Sequence, residues 1–451
     1  MKLSSVGRLS LLGLLAIGAC SSEKTSRDRG GDPRLMAAPE TAPKRARASA
    51  YDPQIIDNAR AMLAEGRETF RRETFGDEAF WGDTLQLHRA IESAVSPKTA
   101  LAVGLKVDSE ALPDELVAKI KKNEVNMDDP ATTVALLKVN AVVGVQGFFE
   151  ESGKMKSVGI TCALCHSTVD DSFSPGIGRR LDGWANRDLD VGKIVSLAPN
   201  LDPFAKLLGV DVAAVKKVLL SWGPGKYDAE LDKDGKAFRP DGKSAATLLP
   251  PAFGLAGVNL HTYTGFGSVP YWNSYVANTQ MHGSGVFFDA RLKDADQFKV
   301  AARSGSWNSR AKEKDRVTPK LAALHFYQLS LPAPQAPEGS YDRAAFQRGQ
   351  TLFEGKAKCA TCHVPPLFTE PGNNLHTPAE IGIDDFQAER SPTKAYRTTP
   401  LRGLWSHAKG GFYHDGRFPK LSDVVDHYDR QFKLQLSDEE KKDLVQFLMG
   451  L

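Results

Sequence analysis

The chain has 451 residues, 25% of them charged, and a formal net charge of +3. That length is enough for two or three domains with sizeable cores. The near balance of acidic and basic residues excludes the strongly basic composition that is typical of nucleic-acid binding. We therefore expect no nucleic-acid partner.

The N-terminus has the pattern of a secretory signal peptide over residues 1–19. Lys2 and Arg8 precede an apolar run that is too short to span a bilayer. The run ends in Ile-Gly-Ala-Cys, which is similar to the lipobox of bacterial lipoproteins, where cleavage precedes Cys20 and its thiol is acylated. In that family Ser21 favours the outer membrane. We expect an outer-membrane lipoprotein that faces the periplasm, with an ordinary signal peptide as the alternative.

A tether follows the predicted lipid. Residues 20–50 are rich in Ser, Lys, Arg, Pro and Ala and have almost no large apolar side chains. Such a segment cannot bury enough surface to order itself, so we predict a disordered linker to the membrane.

The globular part begins at Tyr51, with a predicted helix over residues 55–70. A second helix is predicted over residues 131–145 and should be buried, because it is apolar almost all round. His88 lies on an apolar stripe and is predicted to be a core histidine, with axial metal ligation as the alternative. The aromatic residues expected in the core are Phe70, Phe75, Phe80 and Trp81.

Residues 162–166 read Cys-Ala-Leu-Cys-His, and residues 359–363 repeat the pattern as Cys-Ala-Thr-Cys-His. This spacing is that of c-type haem attachment, because two thiols must reach two vinyl groups of one porphyrin while the adjacent imidazole binds the iron. A zinc site would need two further ligands, and a thioredoxin-like site would need a βαβ pattern that is not visible. We predict two covalently bound haem c groups. The attachment residues are Cys162, Cys165, Cys359 and Cys362, and the proximal iron ligands are His166 and His363.

A helix is predicted over residues 204–222, and an acidic segment follows over residues 228–241. The segment contains an imperfect EF-hand pattern in which Asp stands where the last ligand is normally Glu. We prefer a hairpin turn at residues 233–236, since Asp-Gly supplies the positive φ that a type I′ turn needs, and calcium is the alternative. The pattern is formed by Glu230, Asp232, Asp234, Gly235 and Asp241.

Residues 250–290 are dense in Gly, Tyr, Trp, Asn and His, which is typical of loops that build ligand pockets. A helix is predicted over residues 318–331, and a stiff Pro-rich linker follows it. The first haem domain is therefore predicted over residues 51–335.

The second domain is predicted over residues 341–451, in the order helix, haem, helix. Its first helix ends shortly before the second motif, and Ser437 with Glu440 forms a capping box for the last helix. Gly349 should let these two helices cross closely, as they do in cytochrome c. We predict a mainly α protein of two cytochrome c-type domains, the first enlarged by an N-terminal helical extension and long loops.

The second domain also carries a series of short motifs. They are Phe368-Thr369, Leu375-His376, Ile381-Gly382, residues 397–402 and the Tyr-His-Asp-Gly-Arg turn at residues 413–417. Together they resemble the C-terminal domain of the bacterial di-haem cytochrome c peroxidases. That superfamily also includes the di-haem enzyme that matures methylamine dehydrogenase and the rubber oxygenases. The resemblance is specific over residues 341–451 and loose over residues 157–335, and none is found over residues 51–150.

This resemblance implies a distal ligand for the second haem on the helix after the His-Asp-Gly turn. The peroxidases have a Met there, whereas this chain has Tyr428, as the methylamine-pathway enzyme has a Tyr. After Cys359 the only Met is Met449, in the last helix, so a Met ligand within this domain is not expected. Tyr428 is the preferred metal ligand, and the alternatives are His427, His407, His414 and no strong ligand.

The resemblance also implies an acid near the first haem, in an Asn-Pro-x-Glu-Met segment. Residues 278–282 here read Asn-Thr-Gln-Met-His, so Gln280 stands in the acidic place. A Gln can hydrogen-bond peroxide or dioxygen but cannot shuttle the proton that heterolytic O–O cleavage needs. The candidates for the sixth ligand of the first haem are Met281, His282 and His261. Trp272 is a candidate electron relay between the domains, with plain packing as its alternative.

The expected function is that of a haem oxidoreductase, peroxidase-like or oxygenase-like. Peroxide or dioxygen would be activated at the first haem, and the second haem would relay or store electrons exchanged with a periplasmic redox partner. The alternative is a non-enzymatic electron-transfer cytochrome in which both irons are six-coordinate. A high-spin component in the ferric spectrum would indicate an open iron and favour the enzyme.

Overall fold

The computed structural model describes residues 49–122, 124–311, 314–407 and 409–451. The predicted signal peptide, Cys20 and the predicted tether up to residue 48 lie outside these described residues. Residues from Ile56 to Leu451 form one compact unit. Within the described ranges, no helix combines the length and the apolar character that a membrane crossing requires.

Helices provide most of the regular structure, which confirms the predicted mainly α class. Before the first Cys-x-x-Cys-His motif they are α1 (Asp52–Arg72), α2 (Leu87–Ala94), α3 (Pro97–Ala102), α4 (Asp114–Lys121) and α5 (Pro130–Lys138). From the first motif to the second they are α6 (Ala163–His166), α7 (Val191–Ser196), α8 (Asp202–Leu208), α9 (Val212–Trp222), α10 (Leu231–Asp234), α11 (Val269–Tyr275), α12 (Lys299–Ser304), α13 (Leu321–Ser330) and α14 (Arg343–Glu354). The last four are α15 (Pro378–Ile381), α16 (Phe386–Glu389), α17 (Leu421–Phe432) and α18 (Asp438–Gly450).

The strands are short and pair two by two. They are β1 (Val107–Asp108), β2 (Val145–Phe149), β3 (Met155–Ile160), β4 (Ser167–Val169), β5 (Ile177–Gly178), β6 (Arg180–Asp182), β7 (Lys226–Tyr227), β8 (Thr247–Leu248), β9 (Phe287–Phe288) and β10 (Asn308–Ser309). β1 and β5 are parallel, whereas β2 with β3, β4 with β6, β7 with β8 and β9 with β10 are antiparallel. The β2–β3 hairpin leads into the first motif, because β3 ends just before it.

Three of the predicted helices are confirmed by α1, α13 and α14, and two others differ in extent. The helix predicted over residues 131–145 ends at Lys138, and the chain then turns through Gly144, at positive φ, into β2. The helix predicted over residues 204–222 is two helices, because Gly209 adopts the left-handed conformation and ends α8. Apolar composition alone therefore overestimated both helices.

The prediction of a hairpin turn at residues 233–236 is wrong. Lys233 and Asp234 belong to α10, and Gly235 ends this helix with a positive φ of 75°. The antiparallel turn lies a few residues later, where Phe238 bridges Ser244. The Asp-Gly pair correctly indicated a left-handed glycine but not the kind of structure around it.

The predicted aromatic core is largely confirmed. Phe70, Phe75 and Trp81 are buried, whereas Phe80 is half-buried and stacks on His282. His88 lies on α2, and its Nδ1 is buried without a hydrogen-bond partner among the described residues. Axial metal ligation by that histidine stays the alternative to a role in the core.

The buried apolar side chains form separate clusters along the chain. The largest cluster extends over residues from Trp81 to Leu249, and another draws its buried members from residues between Phe353 and Leu451. A separate core over the last hundred residues is what an independent cytochrome c-type fold would have. The domain boundary near residue 335 itself stays a prediction.

The terminal helices of the second cluster, α14 and α18, cross where Gly349 lies. Phe447 packs against Phe346 and Phe353, with ring centroids 5.0 Å apart in both pairs. A Cβ atom at Gly349 would overlap the backbone carbonyl oxygen of Asp443. The predicted close crossing is therefore confirmed, as is the capping box at the start of α18.

We expect Gly349→Ala to lower the free energy of unfolding by about 1–3 kcal/mol, because the added methyl group would force two packed helices apart. Gln350→Ala, on the exposed side of the same helix, is the matched control and should change that free energy by less than about 0.5 kcal/mol. Denaturant unfolding followed by circular dichroism measures both. Equal stability of the two variants would show that the crossing does not depend on the glycine.

Candidate cofactor sites

The second Cys-x-x-Cys-His motif lies in the wall of a cavity of about 540 Å³. A short helical turn after α14 places Cys359, Cys362 and His363 there. The Nδ1 of His363 donates a hydrogen bond to the carbonyl oxygen of Phe368 at 3.0 Å. Because a carbonyl can only accept, Nε2 is left without a proton and can bind a metal. Burial lowers the pKa of His363, which keeps the ring neutral.

The composition of this cavity fits a c-type haem. Its walls are mainly apolar, and a few polar groups converge on them, as is usual for a cofactor site. Two thiols and an imidazole with a free Nε2 are the groups that such a haem requires. The apolar wall residues include Phe353, Leu421, Val425, Leu444 and Leu448 from this half of the chain, and Pro250, Pro251, Phe253 and Leu255 from the other half.

α17 places Tyr428 in the cavity wall, whereas His427 is not part of it. Burial raises the pKa of the Tyr428 phenol, which lies near both cysteines of the motif. The Nε2 of His427 donates a hydrogen bond to the carbonyl oxygen of Ile381 at 2.8 Å. Successive helical residues point about 100° apart, so the two side chains face different surroundings. Of these two alternatives the structure brings Tyr428 to the site, and its binding to iron stays a prediction.

The other candidate histidines have different surroundings. His407 and His414 line the cavity, and the Nε2 of each is buried without a partner among the described residues. Burial lowers the pKa of His407 to about 3 and the pKa of His414 to about 4, so both rings are neutral. His261 is not in this wall, and its Nε2 donates to the carbonyl oxygen of Val258 at 3.1 Å. His407 and His414 therefore stay alternatives to Tyr428.

The first motif holds its histidine by the same kind of contact. The Nδ1 of His166 donates a hydrogen bond to the carbonyl oxygen of Pro250 at 3.1 Å, which again leaves Nε2 free. Burial lowers the pKa of His166 and raises the pKa of the Cys162 and Cys165 thiols to about 12. Redox-active and nucleophilic cysteines instead have exposed thiols of low pKa. The motif therefore fits thioether attachment better than thioredoxin-like chemistry.

The segment that contains Gln280 packs against the acidic segment. The side-chain amide of Gln280 donates a hydrogen bond to the carbonyl oxygen of Ala229 at 3.2 Å. Met281 is buried in an apolar cluster that includes part of the first motif. His282 stacks on Phe80 with ring centroids 3.5 Å apart, and burial lowers the pKa of His282 to about 4. The catalytic role of Gln280 and the ligand role of its neighbours stay predictions.

Asp232 is an unpaired acid that was predicted only as part of the calcium pattern. Its carboxylate oxygens and the Tyr275 hydroxyl are buried and make no hydrogen bond of standard geometry in the described part of the chain, but the two groups lie close enough to shift each other's pKa. Burial raises the pKa of Asp232 to about 7, although the Lys233 ammonium opposes this shift. Burial raises the pKa of the Tyr227 phenol. The nearby Asp232 and Cys165 side chains raise this pKa further, so Tyr227 lies near both the acidic segment and the first motif. No sequence signal distinguishes this acid from its paired neighbours.

Other acids of that segment form ion pairs. Arg390 lies between Asp228, at 2.9 Å, and Asp234, at 2.8 Å, and all three are buried. Asp241 pairs with Lys243 at the surface, at 3.5 Å. In the described ranges, the groups of three or more possible metal ligands lie elsewhere in the chain. The structure therefore does not bring the residues of the imperfect EF-hand pattern together as a calcium site, which was the alternative for this segment.

Trp272 lies over a buried ammonium group. The Nζ of Lys233 is 4.8 Å from the centre of the Trp272 ring, and it also pairs with Glu230 at 2.5 Å. A different tryptophan lies between the two motifs: the ring of Trp184 is 5.5 Å from that of Trp405. The residues that flank Trp184 bond to the backbone of the first motif, and those that flank Trp405 line the cavity at the second. The relay role of Trp272 stays a prediction.

Comparison with known proteins bears on the class of this protein rather than on its individual site residues. No protein-family model matches the chain. A curated protein is 33% identical over 157 residues, which cover 29% of this chain and 43% of the relative's own length. That match confirms the resemblance to the di-haem cytochrome c peroxidase superfamily. The relative is the methylamine utilization protein MauG of Methylorubrum extorquens.

Two solved structures are also similar over part of the chain. One is a MauG-like protein associated with microbial copper homeostasis, with 18% identity over 49% of this chain and 80% of that one, and a TM-score of 0.31. The other is the hydrazine synthase of Kuenenia stuttgartiensis, with 20% identity over 49% of this chain and 85% of that one, and a TM-score of 0.26.

Proposed function

We propose that this protein is a periplasmic redox enzyme with two covalently bound haem c groups, one in each of two cytochrome c-type domains. The observation that carries the proposal is the shared construction of the two motifs. In each, a backbone carbonyl oxygen accepts a hydrogen bond from the Nδ1–H of the histidine, so that Nε2 is available to iron. When bound, the two groups would supply electron transfer and, at an open iron, activation of peroxide or dioxygen.

The protein groups near the first motif suit the handling of a bound oxidant. Gln280 can hydrogen-bond an oxygen ligand, but its amide cannot deliver a proton. Asp232 can hold one, because burial raises the pKa of its carboxyl group to about 7 and leaves it partly protonated at neutral pH. The Tyr275 hydroxyl lies near that carboxylate and can pass the proton on. An enzyme that uses peroxide or dioxygen needs such a proton source.

The electron path between the sites is expected to use Trp184 rather than Trp272. Oxidation of an indole ring creates a positive charge, and the Lys233 ammonium 4.8 Å from Trp272 opposes it. Trp184 instead contacts Trp405 and, at 6.1 Å, Phe253 in the cavity wall. A periplasmic redox partner would exchange electrons with the protein.

A simple electron carrier is the second candidate. Met281 favours it, because this side chain is buried in the cluster that includes part of the first motif. A Met ligand there would close the iron to peroxide and dioxygen. The ferric spectrum distinguishes the two functions, since an open iron has a high-spin component that changes when peroxide is added.

We expect the purified protein to carry two haems that survive acid-acetone extraction, because thioether bonds persist where coordination is lost. Replacing Cys162 and Cys165 together by Ala should remove one haem, and the matched pair Cys359→Ala and Cys362→Ala should remove the other. Mass spectrometry and the pyridine haemochrome spectrum measure the content. Two haems in either double variant would contradict the assignment.

Tyr428→Phe should remove one ligand from the iron of the second haem, because the change deletes the donor oxygen and keeps the ring. The ferric spectrum of that haem should then shift toward high spin. The reduction potential of that haem should rise, since a phenolate ligand stabilises ferric iron. His427→Ala is the matched control and should leave the spectrum unchanged. The opposite result, with His427→Ala opening the site and Tyr428→Phe silent, would make His427 the ligand.

Localisation at the outer membrane is part of the proposal and rests on the lipobox-like sequence before Cys20. Cys20→Ala should release the protein into the soluble periplasmic fraction, because the acylated thiol would be lost. Fractionation of cells that produce each form, with labelling by radioactive palmitate, measures this. Membrane retention of the variant would show that another part of the chain is responsible.

A further inference from the structure

Two guanidinium groups at the cavity of the second motif have no counter-charge among the residues that the structure describes. Arg187 and Arg397 both line this cavity. The Nε and Nη1 of Arg187 and the Nε of Arg397 are buried and find no hydrogen-bond partner among the described residues. The Nη1 of Arg397 donates to the backbone carbonyl oxygen of Leu260, which carries no charge. Neither arginine forms an ion pair with a described carboxylate.

Other buried arginines in the described ranges differ from these two. Arg180 pairs with Asp108 at 3.0 Å, and Arg390 pairs with Asp234 at 2.8 Å. A buried charge without a partner is costly, so proteins generally keep one only where something neutralises it. Burial lowers the pKa of Arg397 to about 10, with little compensation from a neighbouring charge. The missing partner at this cavity is therefore an anion.

The side chains around the two arginines do not supply that anion. The Tyr263 hydroxyl donates a hydrogen bond to the carbonyl oxygen of Leu248, and burial raises the pKa of this phenol, so it stays neutral. His407, beside Arg187, is neutral because burial lowers its pKa to about 3. Glu380 is an acid in the cavity wall, but it pairs with His376 at 2.8 Å.

We propose that Arg187 and Arg397 bind the propionate carboxylates of the porphyrin in this cavity. The inference rests on the proposed function, because it requires a haem at the second motif. Haem c carries two propionates, and a guanidinium group matches a carboxylate in charge and in planar geometry. Arg187 comes from the predicted first domain and Arg397 from the second, so both parts of the chain would hold the same cofactor.

The experiment compares full-length holoprotein variants by haem content and by reduction potential. Arg397→Gln and Arg187→Gln should keep two thioether-bound haems and shift one reduction potential to lower values, because a buried positive charge stabilises the reduced iron. Arg397→Lys keeps the positive charge, so its reduction potential should lie between those of Arg397→Gln and the unmodified protein. Lys358→Gln removes a positive charge from the exposed rim of the same cavity and should have a smaller effect, since water screens it.

The pH dependence of the potential identifies the carboxylate. Without its guanidinium partner a buried propionate has a raised pKa, so the lowered potential of each Gln variant should fall further as the pH rises. His376, Glu380, His407, His414, Tyr263 and Tyr428 also line the cavity, and any slope that they cause is present in the unmodified protein as well. The added slope in the variants is the expected result.

Several outcomes overturn the inference. Potentials unchanged in both Gln variants would show that the arginines do not bind the propionates, and a shift only in Arg397→Gln would remove Arg187 from the site. If Arg397→Gln does not accumulate, Arg397→Lys and Arg187→Gln decide the question. A single haem in the unmodified protein would instead contradict the proposed function, so the two failures are distinguishable.

Discussion

The hydrogen bond from the Nδ1 of His166 to the carbonyl oxygen of Pro250 is the contact on which both candidate sites depend. It orients the first imidazole, and Pro250 is at the same time part of the wall of the second cavity. Backbone bonds from Gly183 to His166 and from Ala252 to Gly183 complete a short network. A displacement of this segment would move both sites, so two motifs far apart in the chain share one rigid support.

Buried charge is neutralised almost everywhere except near the two motifs. Arg390 is paired on both sides, and Lys233 has Glu230 and three aromatic rings around it. The carboxylate oxygens of Asp232, the Nε and Nη1 of Arg187 and the Nε of Arg397 have no hydrogen-bond partner among the described residues. An unpaired buried group costs stability, so each one needs an explanation such as a function or a bound ligand. An acid near one motif and two cations at the other suggest a proton source and an anion site.

The sequence predicted those features well that depend on residues close together in the chain or on a single small side chain. The two motifs, the capping box of α18 and the close approach at Gly349 each depend on neighbouring residues or on one small side chain. Long-range pairing was not visible: the end of the helix predicted over residues 131–145 is a turn, in which Val142 bridges Val107, and it leads into β2, which pairs with β3. The pairing of Arg390 with Asp234, which leaves Asp232 free, depends on residues far apart in the chain. The sequence pattern alone therefore marked these acids as one group.

The Tyr428 phenol shows why the second site and its cofactor depend on each other. Burial raises the pKa of this phenol, so in the protein alone it carries no charge. A phenolate there needs a nearby cation, and the iron of a haem held at the second motif would supply it. Tyr428 would thus become anionic only once the haem is attached, and the phenolate would then favour the ferric state. The apolar walls that exclude water from the free phenol would strengthen that attraction, because the same low dielectric acts on both.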